Sequence, residues 1–326
     1  MLIDMHCDTL FELKRNPGQS LIENNLSIDI AKLHKGGYLL QNFAMFVHNS
    51  EGTDPYEACL ELYEIFQKQM ELGKSKIRPV TTVHEIEENQ KEGLLSAMLT
   101  IEEGAVCRGE TDILEEFYEK GVRMMTLTWN FENEIGFPNC IIDADGRRKP
   151  FENTEQGLKP AGFEMIEAME SMGMIVDVSH LSDAGFYDVA AKLRVPFAAS
   201  HSNSREICPH PRNLTDEMLH ILGEKGGVAG LNLYGAFVNP MLTSGEEECR
   251  REDLLKHVHH MADAGGIECV ALGTDFDGFS GEGEIRTAAD LADFPEYLHK
   301  SGFSWEEVDK ITYKNVLRVY NEVLKQ

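Results

Sequence analysis

Leu2-Ile3-Asp4-Met5-His6-Cys7-Asp8-Thr9 is the stretch on which the fold turns. Its largely apolar first half reads as a strand that stops on a histidine and an aspartate. An open doubly wound sheet would normally carry a glycine-rich phosphate loop at that point, and neither GxGxxG nor GxxxxGK(S/T) follows here. Beyond this first strand, residues 2–5, further apolar runs occupy residues 39–47, 94–101, 122–128, 174–178, 195–200, 227–233 and 269–273. Several are near-continuously apolar, as parallel strands buried on both faces should be. Helical patterns lie between them. One opens at Asp54-Pro55, an N-cap followed by proline with Glu57 in the first turn, and others fit residues 159–172, 215–225, 251–264 and 304–324. Eight strand-then-helix units predict an α/β fold, a (β/α)8 TIM-type barrel.

The chain has 326 residues, of which 42% are hydrophobic and 26% charged, an ordinary globular composition. No repeat or low-complexity linker divides it, so residues 1–326 read as one barrel domain. Residues 130–159, rich in Asn, Gly, Pro and charge, read as a functional loop. The net charge of −26 repels phosphate backbones and anionic lipid, which argues against nucleic acid and membrane partners. The best membrane-span candidate, residues 226–238, is short and is interrupted by Asn232. With no basic-then-apolar N-terminus, the expected compartment is cytoplasmic. Seven cysteines without a CxxC fit reduced, mostly buried thiols. His257, His259 and His260 fall at spacings that spread them around a helix, and Glu246-Glu247-Glu248 reads as a solvated loop or helix start.

Side chains able to bind metal stand where the apolar runs stop. His6 and Asp8 follow the first, Glu102 the third, His180 the fifth, His201 the sixth and Asp275 the eighth. In a parallel barrel these positions share the C-terminal rim. Alternation in an extended segment turns His6 and Asp8 to one side and Cys7 away. Imidazole and carboxylate suit zinc, with Mn, Co or Ni as chemical substitutes. Three histidines and three carboxylates exceed what one catalytic zinc needs, so two metals roughly 3.5–4 Å apart is the economical reading.

At these residues the chain resembles the renal (membrane) dipeptidase family of dinuclear zinc dipeptidases, in a bacterial-type cytoplasmic form. The matching strings are Ile3-Asp4-Met5-His6-Cys7-Asp8, Thr100-Ile101-Glu102, Arg123-Met124-Met125-Thr126-Leu127-Thr128, Asp177-Val178-Ser179-His180, Ser200-His201-Ser202-Asn203, Pro211-Arg212-Asn213 and Gly273-Thr274-Asp275-Phe276-Asp277-Gly278. The resemblance implies a barrel of the metal-dependent amidohydrolase kind holding two Zn2+. His6 and Asp8 would hold one zinc, His180 and His201 the other, and Glu102 would bridge them. Arg212 would grip a substrate carboxylate and Asp275 would handle the proton. The implied reaction is hydrolysis of small dipeptides with a free C-terminal carboxylate, L-L and L-D, by a hydroxide bridging the metals. Relatives often pair, so a homodimer is also implied.

Two departures bear on substrate. Trp129 stands where the renal pattern has a histidine near the substrate carbonyl, which leaves Trp129 as a substrate contact and Asn130 or Asn133 as helpers to the oxyanion. Glu103 stands where the family usually has glycine and competes with Glu102 as ligand, as Asp277 does with Asp275. The apolar run ending at Ile101 favours Glu102, and the turn chemistry of Asp277-Gly278 favours Asp275. Competing functions are a barrel metallohydrolase of another amide or lactone and a non-catalytic metal-binding homologue.

Overall fold

The computed structural model describes residues 1–49, 52–242, 249–279 and 283–325. Glu246-Glu247-Glu248 lies outside the described residues. Eight strands run parallel: β1 (Leu2–Asp4), β2 (Tyr38–Phe46), β3 (Leu95–Glu102), β4 (Val122–Thr126), β5 (Ile175–Asp177), β6 (Ala198–Ala199), β7 (Val228–Leu231) and β8 (Val270–Leu272). Each pairs with its chain neighbour, and β1 pairs with β8 through Asp4 and Leu272, so the sheet closes into a (β/α)8 barrel with helices outside. A short strand, Ile77–Pro79, pairs beside the start of β3 without entering the ring.

Local chemistry explains where the helices begin and end. Asp54 accepts from the Tyr56 N–H to cap helix Pro55–Gly73, and helix Pro160–Met172 ends on Gly173 at φ 80°. The continuous helix expected over 304–324 is instead broken into Trp305–Asp309, a π-helical turn at Lys310–Lys314, and Asn315–Val323. Thr312 Oγ1 turns back to donate to the Val308 carbonyl, and the Asn315 amide donates to the carbonyls of Ile267 and Val270, each at 2.8 Å. Val270 begins β8, so the π turn aims Asn315 at the N-terminal end of the barrel. Val316, Val319, Tyr320 and Val323 then pack with Ile3, Met98, Met124, Ile175 and Val228. That mouth is sealed, and the C-terminal rim is left for chemistry.

Residues 130–159 carry an antiparallel hairpin, Cys140–Ile142 with Arg148–Pro150, beside the C-terminal rim. No helix among the described residues is long and apolar enough to cross a membrane.

Candidate metal centre

The strands of the rim extend past their regular ends, and this positions the site. The Asp275 N–H donates to the His6 carbonyl at 3.2 Å, and the Asp8 N–H donates to the Phe276 carbonyl at 2.9 Å, which zips the continuations of β1 and β8 together. Cys7 turns away to bond the Asn42 carbonyl, leaving His6 and Asp8 facing the same space. Glu103, His180, Asp275 and Asp277 all take positive φ (101°, 68°, 63° and 67°), and all four follow strand ends at this rim. Such conformations cost about 1–3 kcal/mol each, and they concentrate where function requires them.

Six donor groups converge. His6 Nε2 lies 3.5 Å from Asp8 Oδ2, 3.3 Å from Glu102 Oε2 and 3.8 Å from Asp275 Oδ1. Glu102 turns its other oxygen the opposite way: Oε1 is 3.1 Å from His180 Nε2 and 3.6 Å from His201 Nε2. The donor atoms of His6, Glu102 and His201, and those of His6, Asp8 and Asp275, lie within 4.8 Å of one another. His6, Asp8, Glu102 and His201 are fully or almost fully buried.

Crowding so many acids and bases out of water perturbs all of them. Burial pushes Asp8 up to about 7 and Asp275 up to about 6, with the charge of Glu102 adding to both. Burial also acts against ionisation of Glu102, but the charge of His6, with His180 and His201 facing its other oxygen, overcomes it and holds the carboxyl well below its usual range. For His6, burial is outweighed by Glu102 and Asp8, which favour a proton on the ring, the place a bound cation would take. Burial, then the Arg212 cation, pushes His180 down to about 4.

The donors fit a bound cation. His180 Nδ1 lies 3.0 Å from Asn130 Oδ1, an acceptor, so it carries the ring proton and leaves Nε2 with a bare lone pair. That lone pair faces Glu102 Oε1 and, at 3.2 Å, His201 Nε2. His6 Nε2 and Asp8 Oδ1 are buried with no hydrogen-bond partner. Lone pairs converging out of water require a positive charge between them, and a nitrogen and carboxylate set suits zinc.

The centre opens on a cleft of about 1260 Å3 lined by Asp8, Glu102, His180 and Asp275 together with Arg212, Trp129 and Asn130. Arg212 is buried. Its Nη1 donates to Ser202 Oγ at 2.6 Å, while Nε and Nη2 have no partner. The Trp129 ring packs 4.8 Å from both Phe46 and His48, and the Arg148 guanidinium of the hairpin lies 4.6 Å over it. Asn130 uses its Oδ1 to orient His180 and lines the cleft. Asn133 is spent on scaffold: its amide donates to Glu103 Oε1 and the Leu127 carbonyl, and its oxygen accepts from Ile135 and Gly136. Glu103 is fully buried and turned from the donors, accepting from the Ala105 and Trp129 N–H groups; burial pushes it up to about 7. Asp277 ties Thr9 and Ser27 together at 2.7 Å each.

Sequence reasoning missed Asn232, whose amide donates to Asp275 Oδ2 at 3.0 Å and to the His201 carbonyl at 3.3 Å. Its signal was visible as the polar interruption of the apolar run at 226–238. The histidines at 257, 259 and 260 stay away from the centre; His257 is buried between the Ser204 N–H and the Val238 carbonyl.

Comparison with known proteins shows the family and the fold. A profile of the family described as membrane dipeptidase (peptidase family M19) matches residues 1–326. An uncharacterized protein of the pqqA 5′ region of Klebsiella pneumoniae is 30% identical over 275 residues, 84% of this chain and 98% of that one. An uncharacterized dipeptidase of Schizosaccharomyces pombe is 30% identical over 341 residues, covering 98% and 80%. The crystal structure of a metallopeptidase from Rhodobacter sphaeroides, liganded with a phosphinate mimic of L-Ala-D-Ala, shares the fold with a TM-score of 0.88 at 22% identity over 99% of both chains.

Proposed function

Because the chain belongs to the membrane dipeptidase family, peptidase family M19, and is thereby a metal-dependent hydrolase of the dipeptidase class, we propose that it holds two zinc ions and cleaves dipeptides with a free C-terminal carboxylate. The observation that carries this reading is the buried Arg212, with two unpaired guanidinium nitrogens, on the same cleft as a carboxylate, Glu102, whose two oxygens face two different sets of imidazoles. His6 and Asp8 would hold one ion, His180 and His201 the other, and Glu102 would serve both.

When bound, zinc lowers the pKa of its water from 15.7 to about 7 and polarises a substrate carbonyl. The chain's own groups do the rest. Arg212 donates two parallel hydrogen bonds to the terminal carboxylate, a task its planar fork suits better than a lysine, and so orients the zwitterionic dipeptide. Asp275 takes the proton of the attacking water on Oδ1 and returns it to the leaving amine, while Asn232 holds Oδ2 in place. Trp129 and Phe46 form an apolar wall that keeps bulk water from the reacting bond.

The phosphinate ligand of the Rhodobacter enzyme is the reason to include L-D pairs among the substrates. Seven unpaired cysteines, six of them buried, favour a reducing, cytoplasmic setting. Metal analysis combined with a panel of L-L, L-D and D-L dipeptides tests the reading. Two zinc ions per chain and turnover within that panel are expected. Protein that held two zincs yet hydrolysed none of these would overturn it.

A further inference from the structure

Asp177, the last residue of β5, is fully buried and plays no part in the steps above. Its Oδ1 accepts from the N–H groups of Ser179 at 3.0 Å and Ser200 at 2.8 Å. Its Oδ2 accepts from Thr126 Oγ1 at 2.6 Å and Ser200 Oγ at 2.5 Å. A serine has one hydroxyl proton and a carboxylate has none to give, so the Ser200 proton goes to Asp177. Ser200 Oγ also lies 2.6 Å from His201 Nδ1. With its proton already spent, Ser200 can only accept there. His201 must then carry its hydrogen on Nδ1, which leaves Nε2 bare and turned toward Glu102 and His180.

We propose that Asp177, acting through Ser200, is a positioning residue that locks His201 in the tautomer whose Nε2 lone pair faces the metal. The inference rests on the reading of His180 and His201 as ligands of one ion. His180 is set independently by Asn130, so the Asp177 device can be perturbed alone. Hydrogen-bond partners of this kind around metal-binding histidines are worth about 10–100-fold in metal affinity.

The isosteric change Asp177→Asn reverses the relay by a stated route. An amide NH2 at the Oδ1 position would meet two backbone N–H groups, which cannot accept. The NH2 is therefore driven to the Oδ2 position, against the hydroxyls of Ser200 and Thr126, which can. Ser200 then turns its proton to His201 Nδ1, and the imidazole hydrogen moves to Nε2, pointing into the metal site.

The test uses the full chain in two measurements. Zinc titration against a competing chelator should show one of the two ions held about 10–100-fold more weakly in Asp177→Asn. Histidine 15N NMR of the metal-free protein, with the His201 signal assigned by a His201→Ala spectrum, should show the ring proton on Nδ1 in the parent and on Nε2 in the variant. Should Asp177→Asn fail to fold, Ser200→Ala removes the acceptor of His201 Nδ1 and should weaken the same ion with both tautomers present. Ser202→Ala, which deletes a buried hydroxyl of the same layer that bonds Arg212, should raise KM and leave zinc affinity unchanged. Parent affinity and an unmoved tautomer in both Asp177→Asn and Ser200→Ala would overturn the proposal. Parent protein that bound no zinc would instead overturn the metal reading, and the spectrum, which needs no metal, would still decide the relay.

Discussion

Replacing Arg212 by alanine should abolish the preference for a free carboxylate and leave the metal centre loaded. The guanidinium is 6% exposed, so water does not compete for its free edge. One nitrogen is committed to Ser202 Oγ at 2.6 Å, and the Phe237 ring lies 5.7 Å from the guanidinium carbon, while Nε and Nη2 have no partner. A hydrogen bond between charged groups contributes about 1.5–3 kcal/mol, so two of them are worth about 3–6 kcal/mol. At about 1.4 kcal/mol per tenfold, kcat/KM for a dipeptide should fall by about 100- to 10,000-fold. Arg212→Lys keeps the charge but not the fork, and should lose about one of the two bonds. The assay compares kcat/KM for a dipeptide with that for the same dipeptide capped as its C-terminal amide, with zinc content measured alongside. The parent should prefer the acid strongly, and Arg212→Ala should treat the two alike. Equal losses on acid and amide would refute the assignment, because removal of a carboxylate partner cannot weaken a substrate that has no carboxylate.

Glu102→Gln should lose zinc and turnover together, since a neutral amide cannot present anionic oxygens to two cations; metal analysis that still found two ions would refute the bridging role. Gly230→Ala should destabilise the barrel by about 1–3 kcal/mol in urea unfolding, because overpacking forces strands apart. The added Cβ would lie 1.9 Å from the Ser200 carbonyl and 2.9 Å from Met5 Cε. His257 supplies a pH dependence. Burial pushes its imidazole down to about 4, and its Nδ1 already accepts from the Ser204 N–H, so protonation there would set a proton against a donor. The unfolded chain therefore binds the proton first, and this contribution is fully present above about pH 6.5 and is lost as pH falls toward 4, by up to about 3 kcal/mol. Unfolding free energies between those pH values should lose about one proton of linkage in His257→Gln; an unchanged slope would refute it.

The barrel was readable because its signals are local. A strand buried on both faces is a run of apolar residues, and each of the eight runs read from the sequence overlaps an observed strand, six of them enclosing it and those at 39–47 and 94–101 missing one end residue. The convergence of His6, Asp8, Glu102, His180, His201 and Asp275 was readable for a related reason, since strand ends of a parallel barrel share one rim wherever they lie in the chain. The broken C-terminal helix was not readable. Its apolar period continues through Lys310–Lys314, and the interruption comes from Thr312 and from the reach of Asn315 to carbonyls beside β8. Glu103 read as a competing ligand or a loop charge, yet it is buried scaffold beneath Trp129, because its left-handed backbone turns its side chain from the donors.

The sequence by itself determined which residue types stand at which strand ends, and hence that imidazoles, carboxylates and an arginine meet at one mouth. Only the tertiary structure decided how each is held: Asn130 on His180, Asn232 on Asp275, and Asp177 reaching His201 through Ser200. Those bonds depend on register between strands, which sets Asp177 opposite Thr126 on one side and Ala198 on the other. A slip of one residue would turn every one of these side chains to the opposite face, and no local pattern in the chain records the register of its neighbours.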